Sequence, residues 1–118
     1  MDGRIFRLTN QISKNLNHNW TVQGMADSLG LSAPHFRRLF KESVGSSPGE
    51  YVRTLRLAEA KLLLETTFDQ IGQRGISVGI PDIQHFGREF KYRYGLSPSE
   101  YRKRHWAAEQ ETSAVLTE

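Results

Sequence analysis

The segment HFRRLFKESVGSSPGEY at residues 35–51 returns fifty positions later as HFGREFKYRYGLSPSEY, residues 85–101. Ten of the seventeen positions are identical, with His, Phe, Arg, Phe, Lys, Gly, Ser, Pro, Glu and Tyr recurring in that order. A repeat of this length restricts the fold more tightly than any composition figure. Each copy must form the same local structure, and the chain must seat that structure twice. Periods near fifty also occur in solenoids, but those need three or more stacked copies. Two copies in 118 residues fit a single body with two related halves.

Both copies read as helix. Phe36, Leu39 and Phe40 repeat at helical spacing as core positions. Ser32 is placed to cap this helix, Pro34 is tolerated in its first turn, and Gly45 stops it after Val44. Upstream, residues 4–16 set Ile5, Leu8, Ile12 and Leu16 on one face, and Asn17, His18 and Asn19 end that helix. Thr21 caps a short helix over 22–29, with Val22, Met25, Ala26 and Leu29 inward, and Gly30 supplies a left-handed turn. Two short helices around a glycine turn, MADSLGLSAPHF, form a helix-turn-helix candidate. Ala26 matters there, because the second helix must cross closely at that point.

Ser47-Pro48 opens a long helix reaching about Glu65, with Tyr51, Leu55, Ala58 and Leu62 as its apolar stripe. At about 1.5 Å per residue it spans about 27 Å, a rigid spacer between two modules. The pattern then restarts. Ile71 matches Val22, Gly79 matches Gly30, Asp82 takes the capping place of Ser32, and Phe86 and Phe90 match Phe36 and Phe40. Gly95 ends that helix and Ser97-Pro98 opens a last one through about Trp106. No segment alternates polar and β-branched residues, so no strand is expected. The predicted fold is all-α, with two helix-turn-helix subdomains and about seven helices. The subdomains fall at about 4–46 and 67–106, joined by the linker helix at about 48–65. Residues 107–118, AAEQETSAVLTE, read as a disordered tail.

Charge sharpens the functional reading. The tail carries three Glu and no Lys or Arg, so a formal net charge of +3 overall leaves +6 on residues 1–106. A basic body favours a polyanionic partner. Zero Cys excludes disulfides, Cys-ligated zinc and thiol catalysis. No phosphate-cradling glycine loop or metal cluster is present, which argues against an enzyme. There is no long apolar run to cross a membrane, and the opening residues MDGRIFRLTNQ lack the apolar block of a secretory leader. Neither a cofactor nor a membrane partner is expected.

The repeated Phe, Gly and Pro serve packing and helix punctuation. The repeated basic residues need another reason. Arg38 and Lys41 lie three apart, as do Arg88 and Lys91, so each pair shares a solvent face of the second helix of its motif. A single basic stripe is usually a solvated surface; duplicated within the same motif, it points to nucleic acid. Guanidinium groups pair with guanine O6 and N7, and Gln84 can pair with adenine N6 and N7. Lysines and helix N-termini hold phosphates and set register.

Two segments carry a family resemblance. VQGMADSLGLSAPHFRRLFKESVGSSPGEYVRTLRLAEAKLLL and GIPDIQHFGREFKYRYGLSPSEYRKR resemble the DNA-binding domain of the AraC/XylS family of bacterial transcription regulators. The resemblance covers residues 4–105, including Arg56 and the Ala60, Leu63, Leu64 arrangement on the linker. It implies two recognition helices in adjacent major grooves of promoter DNA, and a regulator that activates and contacts RNA polymerase. Carried over by motif position, Pro34, Arg37 and Arg38 meet bases in the first half, and Ile83, Gln84, Gly87 and Arg88 in the second. Pro34 and Gly87 offer little direct readout. Lys41 and Lys91 are phosphate candidates, joined by Ser32, His35 and His85, the histidines being structural or phosphate-binding rather than metal ligands. The implied setting is the bacterial cytoplasm, on the nucleoid. Relatives carry a separate effector-binding or dimerising domain, expected to lie outside this chain, which reads as the C-terminal part of a longer regulator more readily than as a short stand-alone member.

The sequence departs from the family pattern before the second turn. Arg74-Gly75 stand where Met25-Ala26 stand in the first half, and Gly72, Gly75 and Gly79 crowd the segment. An interior glycine costs up to about 1 kcal/mol against Ala, so the second half is expected to be the less stable and the less decisive for binding. The competing function is a helical protein-interaction adaptor with non-specific nucleic-acid affinity, which salt dependence separates from a specific binder.

Overall fold

The computed structural model describes residues 2–67, 78–80 and 82–117, with side chains described as far as Ala108. Among the described residues there are six helices and no strand: α1 (Gly3–Lys14), α2 (Val22–Ser28), α3 (Ala33–Val44), α4 (Pro48–Thr66), α5 (Ile83–Tyr94) and α6 (Pro98–Thr117). None of them is long and apolar enough to cross a membrane. The chain divides into two compact units, Met1–Arg56 and Leu57–Glu118.

In the first unit each helix starts where a side chain can take up its orphan amides. Asp2 accepts from the amides of Arg4 and Ile5 at the head of α1, Thr21 from Gly24 in α2, and Ser32 from His35 in α3. Gly30 (φ 68°) makes the turn between α2 and α3, and Gly45 (φ 94°) ends α3 in the left-handed region that favours glycine. Ile5, Leu8 and Ile12 of α1, Met25 and Ala26 of α2, Phe36 and Phe40 of α3 and Val52 of α4 form one core. Ala26 is fully buried, as the close crossing requires. The sequence reading ran α1 on to Leu16. The helix instead stops at Lys14, with Asn15 as its C-cap, and Leu16 packs against the core from the loop.

The second unit repeats the ending of the first. Asp82 caps α5 and Gly95 (φ 81°) ends it. Its core is Leu57, Ala60 and Leu64 of α4, Val78 and Ile80, and Phe86 and Phe90 of α5. Leu57, Ala60 and Leu64 keep the 3-then-4 spacing of Ile5, Leu8 and Ile12. The C-terminal half of α4 thus does for this core what α1 does for the first.

That double duty corrects the predicted stripe. Pro48, Val52, Leu57, Ala60 and Leu64 are the buried residues of α4, while Ala58 is exposed and Leu62 is 50% exposed. Tyr51 and Leu55 pack against the first core from a half-buried position. A helix that serves two cores in succession changes its inward face along its length, and no single period describes it. The unit boundary accordingly falls inside α4 and not at its ends. Helix α6 runs through Thr117, past the expected end at Trp106 and through most of the segment expected as a tail. The helix expected from the glycine-rich segment with Ile71, Gly72, Arg74, Gly75 and Ile76 lies outside the described residues.

Candidate nucleic-acid interface

Helices α3 and α5 match in their detail. Each has 12 residues and ends on a left-handed glycine. That glycine's amide donates to a lysine carbonyl, Lys41 in one and Lys91 in the other, at 2.8 Å in both. Each buries a phenylalanine pair, with ring centroids 5.7 Å apart for Phe36 and Phe40 and 5.9 Å for Phe86 and Phe90. The second ring of each pair meets a tyrosine from the following helix, Tyr51 at 5.5 Å and Tyr101 at 5.7 Å.

The buried pair fixes which way the rest of the helix points. A helix turns about 100° per residue, so Arg38 stands opposite Phe36 and Phe40, and Arg88 opposite Phe86 and Phe90. All four rings have no solvent exposure, and both arginines are exposed. The outward face of α3 gathers Pro34, Arg38 and Lys41, with His35 on one shoulder and Arg37 at the side; all five are exposed. On α5 the corresponding face holds Gln84, Arg88 and Lys91, all exposed, with His85 at the shoulder. Ile83 is 56% exposed in the first turn, but its phase sets it round the side, away from Arg88.

Several of these groups have local partners. The Ser32 hydroxyl oxygen accepts the His35 amide at 3.3 Å, which leaves its hydrogen to donate outward. His85 Nε2 lies 3.9 Å from Glu89 Oε1, an ion pair when the imidazole is protonated. Asp82 accepts the amides of Gln84 at 2.9 Å and His85 at 3.1 Å. Those bonds, the one from His85 foremost, hold its carboxyl below the ordinary value of 3.8. The cap therefore stays charged at neutral pH.

The two outward faces differ at three places. Pro34 corresponds to Gln84, Arg37 to Gly87, and Glu42 to Tyr92 at the fifty-residue offset. A Cβ built on Gly87 would meet nothing within 4 Å, so the protein itself leaves that side open. Glu42 and Tyr92 were not singled out from the sequence. The signal was available, since each lies four residues beyond its outward arginine. Arg56, whose place in the linker says nothing of its partners, is an anchor within the first unit. Its guanidinium donates to the Leu16 carbonyl at 2.9 Å and the His18 carbonyl at 2.7 Å, and partial burial lowers its pKa.

In the second unit α4 and α6 are tied by polar contacts. The Tyr101 hydroxyl donates to the Glu65 carboxylate. Burial first, and then that bond, push Tyr101 up to about 12. Lys61 lies over the rings of Tyr94 at 5.2 Å and Tyr101 at 5.6 Å. Burial likewise raises Tyr94.

A glycine-turned helix pair whose second helix has an aromatic inner face and a basic outer face defines a helix-turn-helix domain, and this chain carries that second helix twice. The "Helix-turn-helix domain" family model matches residues 25–104, and the chain belongs to the AraC/XylS family of helix-turn-helix transcription regulators. It is 34% identical over 102 residues to the HTH-type transcriptional regulator MtrA of Neisseria gonorrhoeae, covering 86% of this chain and 34% of that protein. It is 36% identical over 103 residues to the arabinose operon regulatory protein of Escherichia coli K12, covering 86% of this chain and 35% of the relative. The chain thus spans about a third of the length of these curated relatives. Among solved structures, the DNA-binding domain of AdpA, determined with a target DNA, superimposes with a TM-score of 0.86 at 23% identity. That match covers 91% of this chain and 96% of the other, and it is a likeness of fold.

Proposed function

We propose that this chain binds double-stranded DNA sequence-specifically, with α3 and α5 each reading its own block of bases in the major groove. The observation that carries the reading is the twofold occurrence of an exposed arginine set opposite a buried phenylalanine pair. Exposed basic residues alone would be a solvated surface. The same guanidinium presented twice by the same capped helix is a reading head used twice. Arg37, Arg38 and Arg88 suit guanine O6 and N7 and Gln84 suits adenine N6 and N7, while Ile83, set away from Arg88, is the expected base contact that the geometry favours least. Lys41, Lys91, Ser32, His35 and His85 suit phosphates and fix the register. AdpA's capture with a target DNA and the regulator names of the relatives support the reading. On it, the domain serves a promoter, and the direction of regulation is activation through contact with RNA polymerase.

The test is selection from a random duplex pool at near-physiological salt, repeated with Arg38→Ala and Arg88→Ala. The wild type should enrich two blocks about 10–11 bp apart. Each variant should lose about 1–3 kcal/mol of binding and relax preference in one block only. No enrichment at any salt overturns specific reading and favours the adaptor. Transcription from the selected site with purified polymerase, rising when the domain binds, checks the activator role.

A further inference from the structure

Tyr92 on α5 is 91% exposed, the highest value among the exposed large hydrophobic side chains of the described residues. The aromatics around it are employed. Phe90 is buried, and Tyr94 packs on Phe90 at 4.7 Å beneath Lys61. Tyr92 lies four residues beyond Arg88 and eight beyond Gln84, so it stands on the same outward face. Along the helix axis it is about 12 Å from Gln84, at about 1.5 Å per residue.

The major groove is also about 12 Å wide. If the first turn of α5 is at the base edges, Tyr92 is carried out to the groove wall, where sugars and phosphates lie. A tyrosine suits that place, with a flat apolar ring and a hydroxyl that donates to phosphate oxygen. Lys91, exposed beside it, has the charge for the same strand. Across the repeat, the first unit has Glu42 at this position, and a carboxylate repels phosphate.

We propose that Tyr92 is a DNA-backbone contact of the second unit, its hydroxyl donating to a phosphate at the wall of the groove read by Gln84 and Arg88. The proposal rests on the DNA-binding reading above. It makes the two halves unequal: near its C-terminal end α5 has Tyr92 beside Lys91, where α3 has Glu42 beside Lys41.

A neutral hydroxyl releases no counterion, which separates its effect from that of a lysine. The experiment is a binding titration on the selected duplex and on a scrambled duplex, at several salt concentrations, for the wild type, Tyr92→Phe, Tyr92→Ala and Lys91→Ala. Tyr92→Phe and Tyr92→Ala should both weaken binding about three- to tenfold, equally on both duplexes and at every salt. Lys91→Ala should instead flatten the salt slope by about 0.9. Tyr92→Ala within twofold of the wild type overturns the contact. So does Tyr92→Phe matching the wild type, which would leave the ring and not the hydroxyl at work, and so does a changed base preference. A wild type that binds neither duplex overturns the DNA-binding reading itself, a result distinct from any of these.

Discussion

The two units present nearly the same 12-residue helix and hold it in different ways. The first seats α3 on a largely apolar core of Ile5, Leu8, Ile12, Met25 and Ala26, and fastens the loop after α1 with Arg56. The second places Leu57, Ala60 and Leu64 behind α5, then adds Lys61 over two tyrosine rings and the Tyr101–Glu65 bond. What recurs is the local apparatus that shapes and aims a helix: its cap, its left-handed stop, its phenylalanine pair and the tyrosine beyond. What varies is the support behind it. The aim of the helix is therefore specified within about twenty residues, and the remainder of each unit has only to supply a fitting apolar bed.

The largest effect that would break this comparison comes from the rings. Phe40→Ala and Phe90→Ala should each cost about 3–5 kcal/mol, a large share of the stability of a small domain. Hydrogen exchange in each variant should show protection lost mainly in its own unit. Loss spread evenly over both would mean that the halves share one cooperative core.

A smaller effect separates the caps. Asp82→Ala should lower the melting temperature of the second unit by a few degrees, more than Ser32→Ala lowers that of the first, because Asp82 accepts two amides and Ser32 one. The two also differ in acid. The folded pKa of Asp82 lies below its unfolded value of 3.8, so its contribution is complete above about pH 4 and is lost as pH falls through the folded value. Asp82→Ser should keep the cap and remove that part of the acid loss, as thermal melts between pH 2 and pH 6 would show.

The smallest effect is a gain. Gly87→Ala should stabilise α5 by about 0.5–1 kcal/mol, since the new methyl meets nothing within 4 Å, and DNA affinity should stay within about twofold. Gly87→Arg, which copies Arg37, should steepen the salt slope of binding by about 0.9, making the faces more alike. Denaturant titration and binding titration check the pair.

Much of this was legible because it is local. Thr21, Ser32 and Asp82 cap, Gly30, Gly45, Gly79 and Gly95 take positive φ, and the four phenylalanines are buried, each from cues within a few residues. The outward placement of Arg38 and Arg88 follows from the same cues, because knowing the inner face fixes the outer one. Other features are not legible locally. The stripe on α4 was read as one face when Val52 serves one core and Leu57, Ala60 and Leu64 another, a fact held in long-range packing. The tail was judged by composition, yet its backbone continues α6 to Thr117. Tyr92 is not legible in the sequence, because its exposure and not its residue type makes it notable.

On α3 and α5 the side chains that pack and the side chains that face outward are different residues on opposite sides of one helix. Substitution on the outer side leaves the phenylalanine anchor, the cap and the glycine stop untouched. On the DNA-binding reading proposed above, a chain built this way can change the sequence it prefers without renegotiating its stability. Because there are two such helices, one can drift toward a new target while the other keeps the protein on its old one. Divergence of binding preference then becomes a gradual process with a folded, bound protein at every step.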